Sequence, residues 1–416
     1  LLVSFSRAAL RSKFPLLYRY IFAEIVSPFF LTLFVFTGIL FLARVLKLVD
    51  LVVNRSIPFF DIVLLFSYIV PAFLEVAIPM SVLIAVLSAF GRLSVDSELV
   101  VIRAAGISLQ QLTIPVLVFA TLAFLASLSL SFWVRPWANL KLGEGLFEIA
   151  KVKASAGLTE GTFSSFGTLT MYAEKVDDQT GTLTNVIIAD NKGEEKGRVF
   201  FAQRGIIVSD PKERTIVLQL FDGSLSEGAA PDLSYTEFEI NSILLPQSEL
   251  IEGGSRESKK SNEQVIGTLL SSIDAIKSQP RPLPKEIREH LASSQVELQR
   301  RLVIPFATFV VAIVGMALGI QPSRGARSWG TSANFTLGIS VVIIYYLLLA
   351  VTSAIGSNGR VHPALVMWIP NVVFAALGVY LLQQVGSERW SAVSQRLGDL
   401  IAYLNYKLKL RTEEAR

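Results

Sequence analysis

The sequence predicts an α-helical membrane protein with six transmembrane helices, arranged 3+3 around an inserted all-β, jelly-roll-like domain. Three observations carry this expectation. Six apolar runs approach or exceed the ~20 residues that a helix needs to cross ~30 Å of hydrocarbon. Only 17% of the 416 residues are charged and 52% are hydrophobic, with a mean hydropathy of +0.52. A water-soluble chain of this length needs more charge to solvate its surface. Between the third and fourth runs, short stretches rich in Thr, Val, Ile, Phe and Tyr alternate with Gly, Asp, Asn and Pro, the pattern of strands and turns.

In chain order, Arg7, Arg11, Lys13 and Arg19 precede the first apolar run. That run is about 23 residues long, too long for the core of a cleaved signal peptide. The spans are expected at about 21–48, 60–90, 110–134, 302–320, 332–355 and 364–384. They divide the chain into a membrane half at 1–134, a β domain with its linker at 135–284, a second membrane half at 285–385 and a tail at 386–416. In the insertion, "GTLTMYAEK", "GTLTNVIIAD", "RVFFAQRGIIVSD", "RTIVLQLFDGSL" and "SYTEFEINSILLP" read as strands, whose spacing fits a sandwich or jelly roll. Residues 253–264 are polar and expected to be disordered, and "PRPLP" at 280–284 is a stiff break. "KEIREHLASSQVELQRR" then reads as an amphipathic helix leading into the fourth span. "LIAYLNYKLKL" in the tail is also amphipathic and suits a membrane surface or a partner.

Basic residues set the orientation. Arg92, Arg103, Arg324 and Arg327 fall in loops on one side, joined by Arg389, Arg396, Lys407, Lys409 and Arg411 in the tail. The short loops on the other side hold Arg55 and Arg360, with Arg44 and Lys47 at a helix end. Both termini are therefore expected in the cytoplasm and the β domain outside.

Composition excludes several chemistries. Without cysteine there is no disulfide framework, thiolate nucleophile or Cys-based zinc site. His290 and His362 are far apart in sequence, with no H-E-x-x-H pair. His362 precedes Pro363 and reads as a loop residue. Neither a G-x-S-x-G elbow nor a phosphate-binding P-loop appears, so no catalytic residue, metal site or cofactor is assigned to this chain. Any ATP-driven work must use a partner. A net charge of +4 gives no argument for nucleic acid.

Charges near the membrane need a reason, since one at the bilayer centre costs ~2.5–3.5 kcal/mol. Arg44 and Lys47 share a helix face, and Lys47 can pair with Asp50. Two readings stand: the pair snorkels to headgroups, or with Arg55 it forms a cationic patch for an anionic lipid headgroup. Glu75 lies between Pro71 and Pro79 in the second span. It is either neutral or hydrogen-bonded to a neighbouring helix, or it lines a substrate or proton path. Gly315 and Gly319 allow close helix packing. Between the second and third spans, "DSELVVIRAAG" (96–106) reads as a short helix. Asp96 can cap it, Glu98 sits in its first turn, and Gly106 can end it. Leu99 and Ile102 share a face, and Arg103 follows. Such a helix either lies in the interface or docks into a cytoplasmic partner.

Three segments resemble the LptF/LptG (YjgP/YjgQ) family of lipopolysaccharide-export permeases: "PMSVLIAVLSAFGRLSVDSELVVIRAAGIS" (79–108), "VELQRRLVIPFATFVVAIVGMALG" (296–319) and "GSNGRVHPALVMWIPNVVF" (356–374). "SNG" at 357–359 and "ELQRR" at 297–301 resemble the LptF half more than the LptG half. The resemblance implies six spans and a periplasmic jelly roll in the bacterial inner membrane. It implies a second LptF/LptG-type permease, an LptB-type ATPase dimer that binds ATP and Mg, and LptC- and LptA-type bridge proteins. It also implies that residues 96–106 are a coupling helix docked into the ATPase through Asp96, Glu98, Leu99, Ile102 and Arg103. Arg44, Lys47 and Arg55 would meet lipopolysaccharide phosphates, and the first and fifth spans would be lateral gates. Two alternatives are a permease of another lipid or lipoprotein exporter, and a secondary transporter. The first would place its outer domain after span one, and the second would carry matched charges in both halves.

Overall fold

The computed structural model describes residues 2–53, 59–156, 160–166, 169–177, 182–190, 198–210, 215–228, 234–245, 264–278, 284–320, 331–359 and 361–385. Among the described residues, six helices are long and apolar enough to cross a membrane: Leu16–Arg44, Val63–Val95, Leu109–Glu148, Ile287–Gly319, Phe335–Ser357 and Pro363–Val385. Residues 253–263 of the expected polar stretch at 253–264, the loop holding Arg324 and Arg327, and the tail lie outside the described residues. The chain divides into two compact units, a helical one (1–138 with 261–416) and a β-rich one (139–260).

In the helical unit α1 is Leu2–Val53, α2 Phe59–Val95, α3 Glu98–Ala104 and α4 Leu109–Ser129. A π-helical turn, Leu130–Val134, joins α4 to α5 at Arg135–Ala156. After the strands come α6 (Ile266–Lys277), α7 (Lys285–Gly319), α8 (Thr331–Ser357), α9 (Pro363–Met367) and α10 (Ile369–Val385). The amphipathic run before the fourth span is continuous with it, as expected, since no breaker interrupts α7 before Pro305. His362 caps α9, its Nδ1 accepting from the Ala364 N–H at 3.3 Å.

Helices α2 and α7 form the centre. Their most apolar windows are 61% and 72% buried, against 17% for α1 and 28% for α8. Glycine makes this contact close. A Cβ at Gly315 would lie 2.8 Å from the Leu83 carbonyl oxygen, and one at Gly319 equally close to that of Leu87. Side chains there would hold the two backbones apart. Polar groups add cross-links that lipid cannot replace. In the turn that Pro79 opens, the Val76 carbonyl accepts from Tyr346 Oη at 2.8 Å. Tyr345 Oη donates to Asn371 Oδ1 at 2.8 Å, and Asn371 Nδ2 donates to the Val303 carbonyl at 3.0 Å. Helices α7, α8 and α10 are so joined.

In the β-rich unit β1 is Phe163–Phe166, β2 Leu169–Asp177, β3 Thr182–Asp190, β4 Arg198–Asp210, β5 Thr215–Glu227 and β6 Ser234–Leu245. The five quoted strand runs correspond to β2–β6; β1 is too short to have stood out. All pairs are antiparallel and follow chain order, a meander with β1 and β6 at the edges. One face buries Met171, Ile188, Ala202, Leu218 and Leu220, with Phe147 of α5 packed among them. The alternation slips along one line across the sheet. Glu174, Asn185, Gln203, Asp222 and Glu239 are skipped in successive strand registers, and Asn185 and Asp222 have left-handed backbones, φ 50° and 53°. Aligned bulges of this kind bend a sheet.

Candidate functional site

The short helix between the second and third spans exists, but it starts later than its sequence implies. Asp96 is not its cap. The Asp96 N–H still bonds back to the Arg92 carbonyl at 2.9 Å, closing the end of α2. Ser97 takes the cap position with φ 60°, a left-handed conformation, and makes no side-chain capping bond. The elbow is so tight that α2 ends and α3 begins within two residues, which leaves no extended residue for Asp96 to cap from. A non-glycine residue held this way costs about 1–2 kcal/mol, so the surrounding contacts must fix it. Gly106 ends the helix as expected, with φ +83° and its N–H on the Arg103 carbonyl at 3.0 Å.

Leu99 is buried in the helical core and Ile102 packs against it. They seat α3. The helix turns outward Val100, Val101 and Arg103, with Asp96 exposed at the elbow. Glu98 is half-buried and accepts from Tyr20 Oη of α1 at 2.8 Å. One turn on along α1, Glu24 is ion-paired with Arg92 of α2. Ser94 Oγ donates to the Gly319 carbonyl at 3.2 Å, so the end of α7 meets the same corner.

The structure answers the question about Glu75. The Arg135 guanidinium lies 3.0 Å from Glu75 Oε2 and 3.3 Å from Glu297 Oε1. Ser131 Oγ donates to Glu75 Oε1 at 2.7 Å. Glu297 also takes Arg301 Nε at 3.1 Å and Arg300 Nη2 at 2.9 Å. Arg301 is wholly buried, and its Nη1 donates to the Gln264 carbonyl at 2.8 Å. Two buried acids and two buried arginines balance, with Arg300 at the rim. The four sit roughly 27–39 Å along their helices from the α3 end, at 1.5 Å per residue. The hydrogen-bonded reading of Glu75 therefore holds, and both its oxygens are occupied within the chain. The π-helical turn aims Ser131 and Arg135 into this cluster, a use in keeping with π-bulges elsewhere.

Sequence reading missed Tyr20, Glu24, Arg92, Arg135, Glu297 and Arg301 as members of these clusters. A signal existed for the second. Glu297 and Arg301 are four apart at the start of an apolar run, and Arg135 ends another. All three share the depth of Glu75. Of the candidate lipid-binding cations, Arg44 is exposed near the far end of α1. The Lys47 and Asp50 side chains and all of Arg55 lie outside the described residues.

Comparison with known proteins places these features. The chain is 21% identical to the lipopolysaccharide export system permease protein LptF of Escherichia coli strain K12 over 369 residues, covering 87% of this chain and 93% of that protein. The Shigella flexneri protein of the same name matches to the same extent. A family pattern matches residues 19–384, which spans all six apolar helices almost completely and the whole sheet. The chain belongs to the family described as the lipopolysaccharide export system permease LptF/LptG.

Proposed function

We propose that this chain is the LptF-like membrane subunit of an ATP-driven exporter that lifts lipopolysaccharide out of the inner membrane. The observation that carries this is the family match over residues 19–384, which contains a short, outward-facing helix held between two spans. The energetic problem is large. Each buried methylene holds a lipid by ~0.8 kcal/mol, so several acyl chains exceed thermal reach. With no nucleotide-binding loop in the sequence, the free energy comes from a separate LptB-type ATPase dimer that binds ATP and Mg.

In this reading both termini and α3 face the cytoplasm, and the β-rich unit is periplasmic. Val100, Val101 and Arg103 meet the ATPase, with Asp96 and Glu98 at the rim and Leu99 and Ile102 holding the helix in its seat. A second LptF/LptG-type permease completes a cavity, whose walls include the sparsely buried faces of α1 and α8. Arg44, Lys47 and Arg55 offer cations to the lipid phosphates. The exposed edges β1 and β6 suit onward transfer to LptC- and LptA-type bridge proteins, because an open strand edge is a docking template.

Reconstitution tests the reading. The chain, purified with the ATPase and second permease that accompany it, should release lipopolysaccharide from proteoliposomes when ATP is supplied. Glu98→Ala should insert normally and lower the lipid released per ATP hydrolysed. Release without ATP, or none at all, refutes the exporter; an unchanged ratio in Glu98→Ala removes Glu98 from coupling.

A further inference from the structure

We propose that Tyr20 and the Glu24–Arg92 pair form a latch that delivers movement of α3 directly to the first span, making Tyr20 a positioning residue of the transport cycle. The proposal rests on the exporter reading above. Tyr20 donates to Glu98 just after the Ser97 elbow, while Glu24 pairs with Arg92 just before it. Helix α1 is thus tied to both arms of the elbow. Tyr20 and Glu24 are four apart, hence on one face of α1. Two ties on one face fix the rotation of the helix as well as its height. An exposed ion pair alone contributes little. Here the pair is joined by a hydrogen bond to a charged acceptor, the stronger class.

Burial along α1 explains what the latch can move. Ile21, Ile25, Phe29 and Thr32 form a buried stripe, and Phe22 and Phe29 both make T-shaped ring contacts with Phe119 on α4. None of residues 33–44 is buried; Phe34 is 79% and Leu42 60% exposed. The half of α1 near α3 is fastened, and the other half has looser support, such as the Phe41–Phe66 ring contact. A push on α3 reaches α1 at Tyr20 and appears at Arg44, about 36 Å further along the helix. The latch therefore links the surface a motor grips to the cation offered to the lipid. Glu98 has an internal role beyond any contact with the ATPase.

The test uses the full complex in proteoliposomes loaded with lipopolysaccharide, and reads lipid released per ATP hydrolysed. Tyr20→Phe keeps the ring and removes the donor. Its ratio should fall roughly three- to ten-fold, the weight of one charged hydrogen bond at a partly exposed site. Tyr20→Lys, a donor of similar reach, should recover most of the loss. Tyr20→Phe combined with Glu98→Ala should be no worse than the poorer single variant, because both cut the same bond. Glu24→Arg should lower the ratio, and adding Arg92→Glu should restore it. A normal ratio in Tyr20→Phe, no recovery in Tyr20→Lys, additive losses in the double variant, or no restoration by the charge swap each overturn the latch. If the unmodified complex releases no lipid with ATP, the exporter reading itself has failed, and the latch with it.

Discussion

Arg135 is the residue on which the buried charges turn. It faces two carboxylates, those of Glu75 and Glu297, and its own side chain is 6% exposed. Replacing it by leucine leaves the buried Glu75 without its counter-charge, while Glu297 keeps Arg300 and Arg301. Breaking a buried pair from one side costs about 3–5 kcal/mol, so Arg135→Leu should lower unfolding stability in detergent by that order. Glu75→Gln should cost less, about 1–3 kcal/mol, since the amide can still accept from Ser131. Equal losses would mean that the Glu75 charge is what matters, rather than the bridge. Arg44 belongs to a different class of residue. It is exposed and its worth is to a ligand, so Arg44→Glu should leave stability within about 0.5 kcal/mol. Photo-crosslinking to lipopolysaccharide from that position should fall; unchanged crosslinking would show that Arg44 only snorkels.

Among the elements, α2 and α7 depend on contact at the backbone. Gly315→Val puts a branched side chain where a Cβ already meets the Leu83 carbonyl at 2.8 Å. Overpacking of this kind costs about 1–3 kcal/mol, read as a lower unfolding midpoint and a smaller folded yield. Gly38→Ala in α1, where nothing lies within 4 Å, should be neutral or gain up to ~1 kcal/mol in helix propensity. The contrast separates packing from propensity. Much at this scale was legible in the sequence. Length and hydropathy locate a span without any knowledge of its neighbours, and the runs for β2–β6 announce themselves by alternation and turn residues. Gly315 and Gly319 were read for the contact they make. Partners of buried charge were not legible, because Glu75 and Arg135 are 60 residues apart and meet only once the spans are laid side by side. Asp96 was misread for a local reason: capping rules assume an extended residue before the helix, and the Ser97 elbow removes it.

For the whole molecule, the lack of cysteine makes sidedness directly testable, since any introduced thiol is the sole one. Val101→Cys on α3, 68% exposed, and Thr236→Cys on the edge strand β6 should react with an impermeant maleimide from opposite faces of the membrane. Labelling of both from the same face would invert the proposed orientation of α3 or of the sheet, and no cytoplasmic motor could then grip the first while the second met the periplasm. The chain leaves the helical unit after Ala138 and returns at Ser261. Arg135 lies just before the exit and Gln264 just after the return, and α7 holds both through Glu297 and Arg301. Within the helical unit, both points where the chain crosses to the insertion are thus moored to one post.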